Sequence, residues 1–203
     1  MTVLNDCSGL WCVILAAGTS SRLGKPKQLI QYRGRPLLLH AASAATSISP
    51  TRTIVVLGAH SLRLRALLAR HLQNVSVIVN HQWGSGMMSS LIVGLRALPS
   101  NACAALLMLS DQPRIDARSL NRLVKAWRTK PNVPAAAYFS QTIGAPAILP
   151  KHYWADIKLL SGDTGARSLL QQSDINTTTV AMPEAALDID TNEDIKRLKN
   201  TVN

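Results

Sequence analysis

The chain has 203 residues, 47% of them hydrophobic, enough for a substantial core and too apolar for a disordered segment. No apolar run is long enough to span a bilayer, and residues 1–9 lack the basic and apolar regions of a secretory signal. Twenty-two Lys and Arg against eleven Asp and Glu give a net charge of +11 and favour anionic partners. With only 4% aromatic residues, dispersed cations and no recognition-helix motif, a small anionic substrate fits better than nucleic acid.

In chain order, residues 11–16 read as a buried strand that opens into a small-residue loop, Gly18 to Lys27. Small residues let backbone N–H groups approach an anion, and fixed cations neutralise it. The loop fits neither a Walker motif nor a dinucleotide fingerprint: five residues separate Gly18 from Gly24, Pro26 follows Lys25, and position 20 is Ser. Arg22 and Lys27 are the expected phosphate contacts, a planar fork and a point charge. Residues 36–46 read as a helix and 53–57 as a β-branched strand. Ser61 caps a predicted helix through about residue 72, and 75–79 read as the next strand. Asn80 to Ser90, with two glycines and paired Ser89 and Ser90, leads into a helix over 87–98. Residues 103–109 are an unbroken apolar run, the pattern of a strand buried on both faces, and end at Asp111. Asp116 caps a helix through about residue 128.

These four strand–helix rounds predict an α/β sheet with a largely parallel core, whose ligand site lies beyond the strand carboxyl ends. The less regular second half carries short strands at 133–139 and 144–149 around a turn at 140–142, and a helix over 150–160. A turn at 161–167 then leads into a helix to about residue 172. Beyond it come a strand at 176–182, an extended piece at 186–189, and a terminal helix over 191–198 capped by Thr191 with Asp194 in a near capping box. It is expected to be woven onto the same sheet, giving one domain over residues 1–203.

Asp111, at the end of a buried run, suits a hard-oxygen ligand for Mg²⁺. Asp188 and Asp190 share one side of an extended piece, and Asp190 is either a helix cap or a second metal ligand. The five histidines have no metal spacing, and no nucleophile constellation is visible. Cys7, Cys12 and Cys103 show no C-x-x-C spacing. Cys12 and Cys103 read as small hydrophobes in apolar runs, and a reduced, cytoplasmic protein is expected.

In that order, these segments resemble a known family. Leu15-Ala16-Ala17-Gly18-x-x-x-Arg22-Leu23-Gly24-x-Pro26-Lys27-Gln28 resembles the opening motif of nucleotidyltransferases of the molybdenum cofactor type. Asn80-x-x-Trp83-x-x-Gly86-Met87-x-Ser89-Ser90-Leu91 and Asp111-Gln112-Pro113 are similar to the cytidylyltransferase branch. So are Gly144-x-Pro146, Gly162-Asp163-x-Gly165-Ala166-Arg167 and Asp188-Ile189-Asp190-Thr191-x-Glu193-Asp194. The resemblance implies a single-domain, mixed, mostly parallel seven-stranded α/β sheet with helices on both faces, of the nucleotide-diphospho-sugar transferase type. It implies transfer of CMP from CTP to molybdopterin or its molybdenum-loaded form, with pyrophosphate released and Mg²⁺ as cofactor.

By motif position, Ala16, Ala17, Gly18 and Thr19 would bind the nucleotide together with Arg22, Lys27, Ser89 and Ser90. Arg22, Lys27 and Asp111 would be catalytic, and Asp111 and Asp190 would hold the metal. Gly144, Pro146, Gly162, Asp163 and Arg167 would face the acceptor. The nucleotide half would run over about 10–130 and the acceptor elements over about 131–190. A recipient molybdoenzyme or its chaperone is the implied protein partner. The acceptor's terminal phosphate is ionised at neutral pH, so in-line positioning and charge neutralisation suffice without a strong general base.

Three residues depart from the pattern: Ala145 where His is common, Thr164 where Lys is common, and Leu23 for Met. The first two fall in the acceptor half. Ala16-Ala17-Gly18 favours CTP over GTP. Two alternatives stand beside this expectation. One is transfer from GTP or to another phosphorylated acceptor such as a sugar phosphate. The other is a non-catalytic molybdopterin- or nucleotide-binding partner.

Overall fold

The structure is a computed structural model and describes residues 9–157, 167–171 and 176–200. Seven strands form one sheet in the order β5-β4-β1-β6-β8-β7-β9. They are β1 (Leu10–Ala16), β4 (Thr53–Leu57), β5 (Ser76–Val79), β6 (Ala104–Leu109), β7 (Ala135–Phe139), β8 (Thr142–Pro150) and β9 (Thr178–Ala181). A small antiparallel pair, β2 (Gln31–Tyr32) with β3 (Arg35–Pro36), stands apart. β5, β4, β1 and β6 are parallel, β8 is antiparallel to both β6 and β7, and β9 runs parallel to β7. The sheet is therefore mixed and mostly parallel, and the second half of the chain continues it.

The helices are α1 (Leu37–Ile48), α2 (Ser61–His71), α3 (Met87–Arg96), α4 (Ala117–Thr129), α5 (Trp154–Ile157), α6 (Arg167–Leu170) and α7 (Asn192–Asn200). Strand alternation splits the core between the two faces. Cys12 and Ile14 of β1 join a cluster with Leu38 of α1, Leu64 and Leu68 of α2, and Leu120, Leu123 and Trp127 of α4. Val13 between them joins Val56, Leu107, Leu91 and Leu95 of α3, and Trp154 and Ile157 of α5. Each fully buried Leu contributes about 1.5–3 kcal/mol. α3 packs closely on β1: a Cβ at Gly94 would lie 2.6 Å from Val13 Cγ1. Burial pushes the Cys12 thiol up to about 12, against hydrogen bonding with Ser49 and Thr53. It is a core hydrophobe, as its run predicts.

Several expectations need correction. Cys103 is exposed and precedes β6, so it is not a core residue. Residues 150–160 are not one helix. Pro150 ends β8, a 3₁₀ turn covers Lys151–Tyr153, only Trp154–Ile157 is α-helical, and 158–160 lie outside the described residues. Ser61 is the first residue of α2, and His60 precedes it without a side-chain cap bond. Over 183–186 the chain forms a 3₁₀ turn, so the extended piece begins only at Leu187. Asp116 does cap α4, accepting from Ser119 N. Thr191 and Asp194 form a reciprocal capping box: Asp194 Oδ2 accepts from Thr191 N at 2.8 Å, and Thr191 Oγ1 from Asp194 N at 3.3 Å.

The pairing register positions the site. Leu15 lies opposite Leu109, so the loop after β1 and the turn after β6 leave the sheet side by side. Ser110 N donates to Leu15 O at 3.2 Å, and Ala59 N to Ala17 O at 3.1 Å. The distant C-terminal segment is tied in by Ile189 N donating to Asp111 O at 3.1 Å. Leu23 of the loop, Tyr32, Leu37, Ile189 and Leu198 share a satellite cluster that fixes the loop against α7.

Candidate active site

The loop after β1 is built from inside. Ser20 and Gly24 both take left-handed backbone conformations, at φ 59° and 64°. Ser20 Oγ accepts from Lys27 N at 3.0 Å, closing the loop on itself. Buried Gln28 donates through Nε2 to Ala16 O at 3.1 Å and Gly18 O at 3.2 Å, while its Oε1 is buried with no partner. A Cβ at Gly18 would meet nothing within 4 Å, so its bare backbone faces open space. At Gly58 the opposite holds: a Cβ would lie 2.5 Å from Ala17 O and 2.7 Å from Trp83 Cβ. Only glycine lets the end of β4 support the loop this closely.

The loop borders a cavity of about 360 Å³, lined by Ala16, Ala17, Gly18, Thr19, Lys27, Gln28, Trp83, Gly86, Met87, Ser90, Ser110 and Asp111 among others. Ser90 faces it. Ser89 does not: its hydroxyl lies within hydrogen-bond reach of Gln82 O and Gly86 O and accepts from Asn80 Nδ2 at 2.8 Å, bracing the turn before α3. Asn80, itself buried, also donates to Ser90 Oγ at 3.0 Å.

A second cavity of about 570 Å³ adjoins the first through shared Leu15, Lys27, Met87, Leu109 and Asp111. Its floor is apolar, with Leu91, Leu107, Ala147 and Leu170. Arg22, Gly144, Ala145, Arg167, Asp188 and Asp190 complete the wall. Of the expected acceptor residues, Gly144 and Arg167 line this space, Pro146 does not, and Gly162 and Asp163 lie outside the described residues.

Charged groups converge where the cavities meet. Lys27 Nζ lies 2.5 Å from Asp111 Oδ2 and 2.7 Å from Asp190 Oδ1, and Arg22 donates to Asp190 Oδ2 at 3.1 Å. Burial works to lower the Lys27 ammonium, but the two carboxylates outweigh it and hold it above its ordinary value. Burial works to raise the Asp190 carboxyl, and Lys27 and Arg22 hold it below its usual range instead. Asp188 is pushed up, first by burial and then by the Asp111 charge. Arg22 is largely exposed, with 70% of its side chain open, so its pairing is solvent-screened.

The fit to a hard cation rests on this donor set. Asp111 Oδ1 is buried with no hydrogen-bond partner, and Asp188 adds a third carboxylate to the wall. Among the described residues no three acidic, His or Cys side chains already form a ready cage. Lys27 stands between the two carboxylates instead. Thus Asp111, Asp190, Arg22 and Lys27 form one cluster, in which the cations and carboxylates pair directly. Gln28, Trp83, Met87, Ser110 and Asp188 border the site without having been assigned to it. Gln28 was findable, because it completes the Pro26-Lys27-Gln28 run.

Comparison with known proteins agrees with this architecture. A family model described as the MobA-like NTP transferase domain matches residues 12–177. Nicotine blue oxidoreductase of Paenarthrobacter nicotinovorans is 33% identical over 199 residues, covering 92% of this chain and 94% of that protein. The crystal structure of Rv0371c from Mycobacterium tuberculosis H37Rv superposes with a TM-score of 0.82 at 28% identity, covering 95% of this chain and 98% of that one. A structure of Rv0371c in complex with manganese gives 0.77 at 26% identity, covering 95% and 99%. The bifunctional protein GlmU of Rhodococcus jostii is 29% identical over 180 residues, 85% of this chain but only 35% of that protein. With the family model covering most of the sheet and both motif-bearing strand ends, the chain belongs to the MobA-like NTP transferase family and is a nucleotidyltransferase.

Proposed function

We propose that the chain transfers CMP from CTP to molybdopterin or the molybdenum cofactor, releasing pyrophosphate. The observation that carries this reading is the Lys27–Asp111–Asp190 cluster at the junction of two cavities. In this reading the smaller cavity, lined by the 10–130 half alone, takes the nucleotide, and the larger one, lined by both halves, takes the acceptor. The apolar floor of Leu91, Leu107, Ala147 and Leu170 would take a planar ring, and Arg167 an anionic group.

The backbone of Ala16, Ala17, Gly18 and Thr19 would cradle base and phosphates. Lys27 and Arg22 would turn from the carboxylates to the triphosphate and neutralise charge developing on it. An acceptor phosphate oxygen attacks the α-phosphorus; the new P–O bond forms as the bond to the β-phosphate oxygen breaks, and pyrophosphate leaves with that electron pair. Asp111 and Asp190 would hold a divalent cation, Mg²⁺ by preference for octahedral oxygen ligands, which supplies further charge neutralisation. Ala145 places no titratable group on the acceptor wall, in keeping with a reaction that needs no strong base there. Ala16-Ala17-Gly18 supports CTP over GTP.

The test is pyrophosphate release with CTP against GTP, each with and without molybdopterin, and against a sugar phosphate. Release with CTP only in the presence of molybdopterin supports the reading. Release dependent on a sugar phosphate instead would move the acceptor, and tight molybdopterin binding without release would make the chain a binding partner.

A second reading comes from the near full-length likeness to nicotine blue oxidoreductase. That protein is named as an oxidoreductase of nicotine blue, and the apolar floor of the larger cavity would suit a planar ring as such a substrate. Reduction of nicotine blue by the protein with an added reduced dinucleotide, assayed beside pyrophosphate release, would establish this as an additional activity, and no reduction would remove it.

A further inference from the structure

A third cavity, of about 570 Å³, shares no lining residue with the two active-site cavities. It lies between α1, the turn joining β2 to β3, and residues 113–117 ahead of α4. Arg33 and Arg114 line it, with Ser43 and Ser47 from α1. The Arg33 guanidinium stands over the Tyr32 ring, 5.2 Å from its centroid, and Arg35 donates to Ser43 Oγ at 3.0 Å. Because Ser43 Oγ accepts that bond, its own hydrogen is left to donate.

The charge of this cleft is predominantly positive, two arginines to one carboxylate among its lining residues. Among the described residues, Arg33, Arg35 and Arg114 take part in none of the salt bridges. Asp116 also borders the cleft, but its Oδ1 is committed to α4, accepting from Ser119 N at 2.8 Å and Ser119 Oγ at 3.0 Å. The turn itself is unusual. Arg33 and Gly34 both have positive φ, 47° and 76°. Glycine adopts that conformation freely, whereas an arginine does not, so the cationic side chain stands at a position where glycine would relieve strain.

We propose that this cleft is a phosphate-binding site separate from the nucleotide site, taking a phosphate group either free or as the ester of a small organic molecule. Two guanidinium forks and a serine hydroxyl supply the donors, and the volume exceeds that of a bare phosphate and suits a small-molecule ligand. The ligand would bridge the segment that follows Lys27 and the segment that follows Asp111.

The test is calorimetric titration at fixed ionic strength with two probes, inorganic phosphate and ribose 5-phosphate. The proteins are the wild type, the double variant Arg33→Ser/Arg114→Ser, and Lys27→Ala. Binding to the wild type should fall at least about tenfold in the double variant, as two charge-assisted contacts are lost, and persist in Lys27→Ala. Equal affinity for both probes assigns the site to free phosphate; tighter ribose 5-phosphate binding assigns it to an ester. No binding to the wild type, unchanged binding in the double variant, or loss in Lys27→Ala would overturn the proposal, the last by placing the phosphate in the nucleotide cavity. Both replaced arginines are exposed, and a circular dichroism melt matching the wild type verifies that the double variant is folded. An Arg33→Lys/Arg114→Lys variant, which keeps charge but not the forks, should recover part of the affinity.

Discussion

Lys27 Nζ and Asp111 Oδ2 stand 2.5 Å apart across 84 residues of sequence, and the same ammonium reaches Asp190 Oδ1 at 2.7 Å. Lys27 thus supplies a counter-ion at the place where a divalent cation would be held. A cation entering alone must displace the ammonium, whereas a nucleotide triphosphate gives Lys27 another anion to pair with. Lys27→Met should therefore bind Mn²⁺ more tightly than the wild type when no nucleotide is present, measured by calorimetry. In the full reaction it should lose about 10²-fold in turnover, the scale of removing one electrostatic contact to the transition state. Unchanged Mn²⁺ affinity would show that Lys27 and the cation do not compete.

Gly18 and Gly58 separate binding from folding. Gly58→Ala drives a methyl against Ala17 O and Trp83 Cβ and should destabilise by about 1–3 kcal/mol, read from urea unfolding. Gly18→Ala meets no atom within 4 Å and should leave the urea midpoint near that of the wild type. It narrows the smaller cavity, so nucleotide affinity should fall. A large stability loss at Gly18 would show that its backbone, not its open space, is what matters.

Gln112 joins two walls of the site. Its Nε2 donates to Ala145 O and Ala185 O, both at 3.0 Å, linking β8 to the segment that leads to Asp188 and Asp190. Gln112→Leu strands two carbonyls and should cost about 1–3 kcal/mol of stability. If acceptor and metal walls are both loosened, KM for the acceptor rises while nucleotide affinity stays close to the wild-type value. Equal loss of both affinities would argue for general damage.

The α4 cap provides a pH signature. Burial works to raise the Asp116 carboxyl, but hydrogen bonds from Ser119 and the nearby Arg118 charge hold it below its ordinary value. Its contribution is therefore present above the unfolded-state pKa of about 4 and is lost as pH falls through the lower folded value. Asp116→Ala should cost about 1 kcal/mol at neutral pH, with the gap to the wild type closing in acid. A gap independent of pH would mean that the carboxylate charge is not the source.

The sheet was legible because its parallel strands are unbroken apolar runs and each ends in a run of small, polar or acidic residues. The second half was less so. Ser140 and Gln141 both carry positive φ, 46° and 58°, at the β7–β8 turn, yet neither is the Gly or Asn that announces such a turn. The β2–β3 pair is only two residues long on each side, below what an alternation pattern can show. At the site, the Lys27–Asp111–Asp190 convergence was prefigured by motif, but their direct pairing was not, because phosphates were assumed as the partners of the cations. Ser89 showed the converse problem: a hydroxyl before a helix looks the same in sequence whether it meets a ligand or its own backbone.

β8 enters the sheet beside β6 and runs against it, so the cavity wall at Gly144–Ala145 is carried by a strand whose neighbour leads to Asp111. The larger cavity is thereby walled by both halves of the chain, on neighbouring strands. In the proposed reading, substitutions at the rim of β8 or at Arg167 would reshape the acceptor side while leaving the Lys27–Asp111–Asp190 cluster in place.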